Sequence, residues 1–189
     1  MTSAIAALTA LHASADAGSA VRIMSDNDIP AIMRIQAACY PSPMQESEAV
    51  FRARLALTPA TCWVWSPPGQ NPAAYLFSYP SNKDVITALD QPFKIATTPD
   101  CLYLHDLAVA PNARGRQAGN VLVAAALEHA RASGLHWSAL VSVQQSHIFW
   151  GALGYTAVEV AHSPAKENLA SYQVSAGQPS AIYMLQYLT

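Results

Sequence analysis

Charged side chains are scarce in this sequence. Asp, Glu, Lys and Arg make up 12% of its 189 residues, about half the share usual in globular proteins, and the formal net charge is -2. The chain therefore lacks the basic field that binds DNA, RNA or an anionic membrane, whereas a small neutral or cationic partner stays open. Apolar residues reach 52%, which argues against disorder of the whole chain and predicts one globular domain.

Patterns that hold metals or form disulfide frameworks are also missing. The cysteines are odd in number (Cys39, Cys62 and Cys101), and no two of them stand in a C-x-x-C spacing. The six histidines lack the spacing with acidic neighbours that metal sites need. We therefore expect no metal site, and we interpret the cysteines as small buried hydrophobic residues in a reducing cytoplasm.

Targeting and membrane-spanning patterns are absent as well. Residues 1–20 are rich in Ala and Ser but contain no Lys or Arg, so they lack the basic start of a secretory signal. No run approaches the roughly 18 apolar residues that cross a bilayer. These observations predict a flexible leader over residues 1–20, one domain over residues 21–189, and a soluble cytoplasmic protein without a membrane partner.

What the chain does contain is a regular alternation of strand and helix patterns. Strand composition is found over residues 21–24, 61–65, 73–79, 101–110, 137–143, 155–161 and 181–188. Helical spacing and capping residues are found over residues 29–39, 46–57, 120–133 and 146–153. This order predicts an α/β (α+β) fold with helices packed on a mixed sheet, and a loop or a short irregular helix over residues 81–100 near the functional site.

The βαβ crossover over residues 101–143 carries the clearest chemical signal. Its strand-turn-helix corner aims a helix N-terminus at whatever lies beyond the strand ends. Gly115 and Gly119 allow close approach of backbone amides, and Arg114 and Arg116 add fixed cations beside the positive end of the helix dipole. Such a corner binds a pyrophosphate, although its composition fits a solvated basic turn equally well.

Two segments, YLHDLAVAPNARGRQAGNVLVAAALEHARASGL and VQQSHIFWGALGY, resemble the signature blocks of the GNAT N-acetyltransferase superfamily. The resemblance implies a mixed, mostly antiparallel sheet of six to seven strands, flanked by about four helices and splayed at a parallel pair where acetyl-CoA binds. In that family the turn reads Arg or Gln, two variable residues, Gly, one variable residue, then Gly or Ala. Arg114 and Gly119 match this pattern, whereas Gln117 stands in place of the middle Gly.

The same resemblance implies which residues contact the acetyl-CoA cosubstrate. The strand offers backbone groups to the pantetheine amides, the turn holds the pyrophosphate, two serines lie on the opposite lip, and an aromatic pair contacts the pantetheine arm or packs on the sheet. For the serines, a strand end and a helix cap are the alternative roles. The residues concerned are Leu107, Ala108, Val109, Arg114, Gly115, Arg116, Gln117, Ala118, Gly119, Asn120, Ser142, Ser146, Phe149 and Trp150.

Trp150 departs from the family pattern in the second block. Many relatives have a Tyr there that protonates the departing CoA thiolate, and an indole cannot readily imitate that role. Val143 likewise replaces the usual Asn. Tyr172 or Tyr155 could supply the proton instead, or the thiolate could leave unassisted.

An amine acceptor also requires a group that removes a proton. An alkylammonium has a pKa near 10.4, so only about one molecule in a thousand is nucleophilic at neutral pH. His105 and Asp106 come just before the cofactor-binding strand residues, and we expect them to point to opposite faces of the strand. His105 is the expected base, with Asp106 orienting it or contacting the amine. The alternative is a structural His beside a capping Asp.

Together these features predict an enzyme that transfers an acetyl group from acetyl-CoA to a primary amine of a small molecule or peptide, as a monomer or homodimer. Two alternatives stay open: an acyl-CoA-binding sensor without turnover, and an acyltransferase with a longer acyl donor. Four acidic residues could favour a cationic amine at the entrance, but a solvated surface is the simpler expectation for them. They are Glu46, Glu48, Asp84 and Asp106.

Overall fold

A mixed β-sheet runs through the molecule in the computed structural model, which describes residues 20–161, 163–172 and 180–189. Its strands in these ranges are β1 (Ala20–Ile23), β2 (Cys62–Ser66), β3 (Ala74–Ser81), β4 (Cys101–Val109), β5 (Trp137–Ser142), β6 (Thr156–Ala157) and β7 (Ile182–Tyr187). The spatial order is β1-β2-β3-β4-β5-β7-β6, and each neighbouring pair is antiparallel except β4 and β5. The predicted mixed, mostly antiparallel sheet with one parallel pair is confirmed.

Helices cover both faces of this sheet. Those in the described ranges are α1 (Ile29–Cys39), α2 (Glu48–Leu57), α3 (Ala118–Ala132), α4 (His147–Ala152) and α5 (Ser163–Ala170). A capping box precedes α1, where the Asp28 carboxylate accepts from the Ser25 amide at 2.8 Å, and the Ser47 hydroxyl accepts from the Val50 amide at the start of α2. None of the described helices has the length and apolar content that a bilayer crossing requires.

The C-terminal third differs from the sequence prediction. The strand expected over residues 155–161 is limited to β6, where Thr156 pairs with Leu185 and Ala157 with Met184 of β7. The sequence pattern does not predict α5, which the burial of Ala165 and Tyr172 in the core stabilises. Residues 82–100 form neither strand nor helix, as expected. Residues 1–19 of the predicted leader lie outside the described residues.

Each face of the sheet has its own hydrophobic layer. On the first face, α1 and α2 bury Ile32 and Phe51 against Tyr75 of β3. On the second face, the long helix α3 buries Leu122 against Leu102 of β4. The central strand β4 is therefore covered on both sides, and only its C-terminal half approaches the surface of the molecule.

The cysteines are free thiols, and two of them follow the prediction. Cys62 and Cys101 are buried, whereas Cys39, the last residue of α1, is only half-buried. Burial raises the pKa of the Cys62 thiol to about 11, which keeps it protonated and unreactive.

A β-bulge in β4 decides which side chains face the first layer. Phe77 pairs with Asp106, but the next residue of β3, Ser78, pairs with Leu104, so His105 is the extra residue on β4. The bulge interrupts the alternation of side chains, and both His105 and Asp106 contact side chains of the first-face core. The expectation that they point to opposite faces is therefore wrong, because it assumes an unbroken strand.

The parallel pair of strands separates halfway along its length. Its register runs from Cys101 opposite Trp137 to Leu104 opposite Leu140 and stops there. Beyond this point β4 stays paired with β3, while β5 stays paired with β7. The free edge of β4 over residues 107–109 therefore faces an opening between the strands, next to the N-terminus of α3. This separation confirms the predicted splayed pair.

Candidate active site

The separation of β4 and β5 opens a cleft of about 640 Å³. It runs from the turn before α3, along the free edge of β4, to the start of α4. Most of the residues predicted to bind the cofactor line it, together with Cys39, Tyr40, Ala113, Val143 and Gln144. Those predicted residues are Leu107, Ala108, Val109, Arg114, Gly115, Gln117, Ala118, Gly119, Asn120, Ser146, Phe149 and Trp150.

Two predicted cofactor residues do not line the cleft. The guanidinium of Arg116 lies over the ring of Trp65, 5.3 Å from its centroid, and so turns toward the second-face layer. Ser142 is buried, and its hydroxyl lies 3.0 Å from that of Ser146. Ser142 therefore supports a lining residue instead of lining the cleft itself.

The turn before α3 has the backbone of a glycine-rich turn even where glycine is missing. Gln117 adopts a left-handed conformation with φ 63° and ψ 9°, close to that of Gly115 with φ 78°. Its side chain is exposed and accepts a hydrogen bond from Asn120 at 3.2 Å. Gln117 therefore takes the kind of backbone conformation that glycine adopts readily. The first amides of α3 have no acceptor inside the helix, and the residues that carry them line the cleft together with Arg114.

Gly119 brings the start of α3 close to the floor of the cleft. A Cβ atom at this position would lie 3.4 Å from Cζ of Phe149 and 3.6 Å from Cγ2 of Val109. Both distances are ordinary van der Waals contacts, so alanine also fits at this position, whereas a longer side chain would meet Phe149 and Val109.

The free edge of β4 presents backbone carbonyls to the cleft. The Tyr40 hydroxyl lies 3.1 Å from the Leu107 carbonyl oxygen, and the Cys39 thiol lies 3.3 Å from that of Val109. Both side chains belong to the C-terminal end of α1, so this end of the helix covers the edge. That backbone groups of Leu107, Ala108 and Val109 contact the pantetheine amides stays a prediction.

A second, smaller cavity of about 60 Å³ continues the cleft toward the first-face core, and we call it the inner pocket. It shares Tyr40, Leu107, Val143, Ser146 and Trp150 with the cleft, so the two are contiguous. The structure brings together here all three predicted catalytic residues, with Glu46 beside them. They are His105, Asp106 and Tyr172.

Asp106 is held by two phenols and faces the inner pocket. The Tyr40 hydroxyl donates to one carboxylate oxygen and the Tyr75 hydroxyl to the other, each at 2.7 Å. In the described ranges, no ion pair involves this carboxylate. Burial, reinforced by the charge of Glu46, raises the pKa of Asp106 to about 6, although the two phenol hydrogen bonds act in the opposite direction.

Both ring nitrogens of His105 face polar groups of the protein. Its Nε2 lies 3.4 Å from Glu46 Oε1, and its Nδ1 lies 3.5 Å from the Tyr172 hydroxyl. Burial and the charge of Arg54 lower the pKa of His105 below its ordinary value, and they outweigh the opposing effect of Glu46. Of the two neighbours on β4, Asp106 makes the shorter hydrogen bonds, and its two oxygens keep further lone pairs for a ligand.

A buried ion pair lies behind His105. Arg54, with a side chain 0% exposed, donates to both oxygens of Glu46 at 2.6 and 2.7 Å, and it also donates to the Gln91 carbonyl. Although burial acts against it, the charges of His105 and Arg54 hold the pKa of Glu46 well below its ordinary value. The interpretation of Glu46 as solvated surface is wrong, because the sequence does not show that α2 turns Arg54 inward.

Tyr172 keeps its proton inside the pocket wall. Its hydroxyl donates to the Thr87 carbonyl at 2.6 Å, and burial raises the pKa of this phenol far above its ordinary value. Tyr155, the other candidate proton donor, shares a hydrogen bond with Ser138 at 2.6 Å and lines neither the cleft nor the inner pocket. The positions of the two phenols thus favour Tyr172 over Tyr155 as the candidate for contact with the departing thiolate.

The sequence pattern alone does not single out several residues of this site. Tyr40 and Tyr75 come from α1 and β3, and Arg54 comes from α2, so tertiary contacts alone join them to β4. The one signal in the sequence is that Tyr40 directly precedes the Pro41 that ends α1. Across the described residues, no three His, Cys, Asp or Glu side chains are grouped so that they could hold a metal ion.

Comparison with known proteins relates this geometry to a family. Residues 29–155 match the family described as Acetyltransferase (GNAT) family. No curated protein matches the sequence. Similar solved structures include the loading GNATL domain of CurA from Lyngbya majuscula, with a TM-score of 0.75 and 10% identity, covering 90% of this chain and 98% of that one.

Two further structures share the fold. The GphF GNAT-like decarboxylase in complex with isobutyryl-CoA has a TM-score of 0.70 and 16% identity, covering 90% of this chain and 100% of that one. The ribosomal-protein-S18-alanine N-acetyltransferase from Escherichia coli has a TM-score of 0.62 and 14% identity, covering 90% and 94%. At such identities the similarity shows the fold alone.

Replacing Asp106 with Asn is expected to remove a pH dependence of stability. The pKa of about 6 lies above the ordinary 3.8, so the folded state binds this proton more tightly than the unfolded chain. The stability that the group contributes is therefore lost as the pH rises from about 4 to about 6, by up to about 3 kcal/mol.

Urea unfolding of wild type and Asp106→Asn at several pH values checks this expectation. The free energy of unfolding of wild type should fall relative to the variant across that window. The same substitution at exposed Asp26 is the control and should leave the pH profile as in wild type. A constant difference between wild type and Asp106→Asn would show that Asp106 titrates normally.

Proposed function

Because the chain belongs to the GNAT acetyltransferase family, we propose that it transfers an acetyl group from acetyl-CoA to a primary amine of a small molecule or peptide. One observation carries the proposal. Two adjacent cavities share lining residues, and they place the N-terminus of α3 at one end and, at the other, the Asp106 carboxylate, which forms no ion pair in the described residues. The helix end suits a diphosphate, and the carboxylate suits an ammonium group.

The residues of the cleft fit a coenzyme with a diphosphate and a pantetheine arm. Arg114 and the amides at the start of α3 would hold the phosphates. The carbonyls of Leu107 and Val109 would accept from the amides of the arm, in place of the side chains of Tyr40 and Cys39. When bound, acetyl-CoA supplies a thioester that is activated for attack by an amine.

Asp106 is the residue that removes the proton in this proposal. An acceptor arrives as an ammonium ion, whose neutral form is rare at neutral pH. Asp106 faces the inner pocket and is ionised above about pH 6, so it attracts the ammonium and then accepts its proton. His105 is not assigned this role because Glu46 and Tyr172 face its two ring nitrogens.

We assign the contact with the departing thiolate to Tyr172. Trp150 stands where many relatives have a tyrosine, and its indole is not a suitable acid. Tyr172 lines the same inner pocket as Trp150, and its buried phenol is protonated. Its hydroxyl would turn from the Thr87 carbonyl and donate a hydrogen bond to the sulfur as the bond between carbon and sulfur breaks. The pKa of this phenol lies far above that of a thiol, so the proton stays on oxygen and CoA leaves as the thiolate.

The replacement at Trp150 also favours a second candidate function, the decarboxylation of a carboxylated acyl-CoA. That reaction keeps the thioester intact, so it needs no acid for a leaving thiolate. A GNAT-like decarboxylase is among the structures that share the fold. Mass spectrometry of malonyl-CoA incubated with the protein distinguishes the two functions, since decarboxylation yields acetyl-CoA without any amine.

Acetyl transfer is tested by a screen in which amines are incubated with acetyl-CoA and free CoA is measured. The panel contains polyamines, amino acids, peptides with free N-termini and aminoglycosides. We expect CoA release that depends on one amine class and forms the N-acetyl product. Tight acetyl-CoA binding without release for any amine would support the sensor instead. Propionyl-CoA and succinyl-CoA test longer donors.

Asp106→Asn is expected to lower kcat/KM by about 100-fold or more and to remove the rising limb of the pH profile. In wild type this limb should have its midpoint near the Asp106 pKa of about 6. His105→Asn is the matched control, expected to lower the rate but to keep the limb. A limb that survives in Asp106→Asn and disappears in His105→Asn would make His105 the base.

Arg114→Ala is expected to weaken acetyl-CoA binding by about 1 to 3 kcal/mol, because a charge-assisted contact with phosphate is lost. Arg116→Ala is a matched control two residues away, since that guanidinium lies over Trp65. Calorimetry with both variants measures the two dissociation constants. Equal losses for the two variants would mean that the turn attracts the coenzyme only through its overall charge.

A further inference from the structure

The positions of the cations limit what the inner pocket can bind. The chain has only ten lysine and arginine residues, and all ten lie in the described ranges. Not one of them lines the inner pocket, and Arg114 alone lines the adjoining cleft. Arg54, which lies behind Glu46, is already engaged by that carboxylate and by the Gln91 carbonyl. A negatively charged group that entered the inner pocket would therefore find no free cation.

Two carboxylates, in contrast, line the inner pocket. Asp106 has a Tyr hydroxyl on each oxygen and keeps further lone pairs for a donor such as an ammonium group. Glu46, which also lines the pocket, brings a second carboxylate, neutralised by Arg54. His105, whose Nε2 lies 3.4 Å from Glu46 Oε1, adds no fixed charge. The pocket as a whole therefore favours a cation.

The rest of the pocket wall consists of apolar side chains and of hydroxyls that already have protein partners. Tyr40 donates to Asp106, Tyr172 donates to the Thr87 carbonyl, and the Ser146 hydroxyl lies 3.0 Å from that of Ser142. The volume of about 60 Å³ leaves little space for water around a second polar group of a ligand. A carboxylate on the carbon next to the amine would enter beside Asp106 and would be desolvated without a cationic partner. The apolar side chains of the wall are those of Met44, Leu89, Leu104, Leu140, Val141 and Val143.

We propose that the acceptor is an amine with no carboxylate on the adjoining carbon, such as an alkylamine, an arylalkylamine or a diamine, and not a free α-amino acid. The inference rests on the proposed acyl transfer, because it assigns the inner pocket to the amine. It narrows the range of acceptors. Primary amines with and without a neighbouring carboxylate are chemically similar nucleophiles, so the charge around the pocket, and not the reactivity of the amine, selects between them.

Matched acceptors test this selection. Phenethylamine, phenylalanine amide and phenylalanine differ only in the group beside the amine, which is hydrogen, a neutral amide or a carboxylate. Isoamylamine and leucine form a second pair of the same kind. We expect kcat/KM to be higher by about 100-fold or more for each amine than for its amino acid, with the amide in between. Calorimetry with CoA-loaded protein gives the binding order independently of turnover.

Leu89 offers a variant that should change the selectivity. It is half-buried in the wall of the inner pocket, so a lysine there can lay its aliphatic stem along the wall and place a cation at the pocket. We expect Leu89→Lys to raise kcat/KM for phenylalanine relative to phenethylamine by about 10-fold. Leu89→Met is the matched control, with similar length but no charge, and should keep the wild-type ratio.

The outcomes separate this inference from the proposed function. Acetylation of phenylalanine as efficient as that of phenethylamine, with no response to Leu89→Lys, would overturn the inference and leave acyl transfer standing. Binding of phenethylamine but not phenylalanine, without turnover of either, would support the selectivity of the pocket and overturn the transferase. Failure of both to bind CoA-loaded protein would overturn the assignment of the pocket to the amine.

Discussion

The whole site depends on the point where β4 and β5 stop pairing, opposite Leu104 and Leu140. Backbone groups inside a protein need partners, and a strand that leaves its neighbour must find them elsewhere. On β4 the partners are side chains of α1, whose last residues cover the carbonyls of Leu107 and Val109. Such contacts are easily exchanged for the amides of a ligand. The separation therefore creates both a cleft and a set of replaceable hydrogen bonds.

The β-bulge at His105 adds a second constraint at nearly the same place. A regular strand would have directed one of two adjacent polar side chains into the hydrophobic layer under α3. The extra residue turns both toward the first face, where tyrosines and the pair of Glu46 and Arg54 satisfy them. Bulges commonly re-aim side chains in this way near functional sites. Here the result is a cluster of titratable groups beside the opening of the sheet.

Because the chain has few charged side chains, the position of each one strongly affects the electrostatics of the site. The buried pair of Arg54 and Glu46 is costly to desolvate, and its hydrogen bonds to the segment around residues 90 and 91 compensate part of that cost. With Arg54 so engaged, the cation of Arg114 lines the cleft, and the carboxylate of Asp106 lines the inner pocket at the other end. The two ends are complementary to the two substrates of the proposed reaction.

The sequence by itself determined the order of nearly all strands and helices, because apolar periodicity and capping residues act within a few neighbours along the chain. It also determined the turn at Arg114 and Gly119, whose spacing is local. Only the tertiary structure decided that Gln117 takes a left-handed conformation, that Glu46 is buried, and that two tyrosine hydroxyls donate to Asp106. Each of these depends on contacts between segments far apart in the chain, and no local pattern encodes which distant residue will lie opposite.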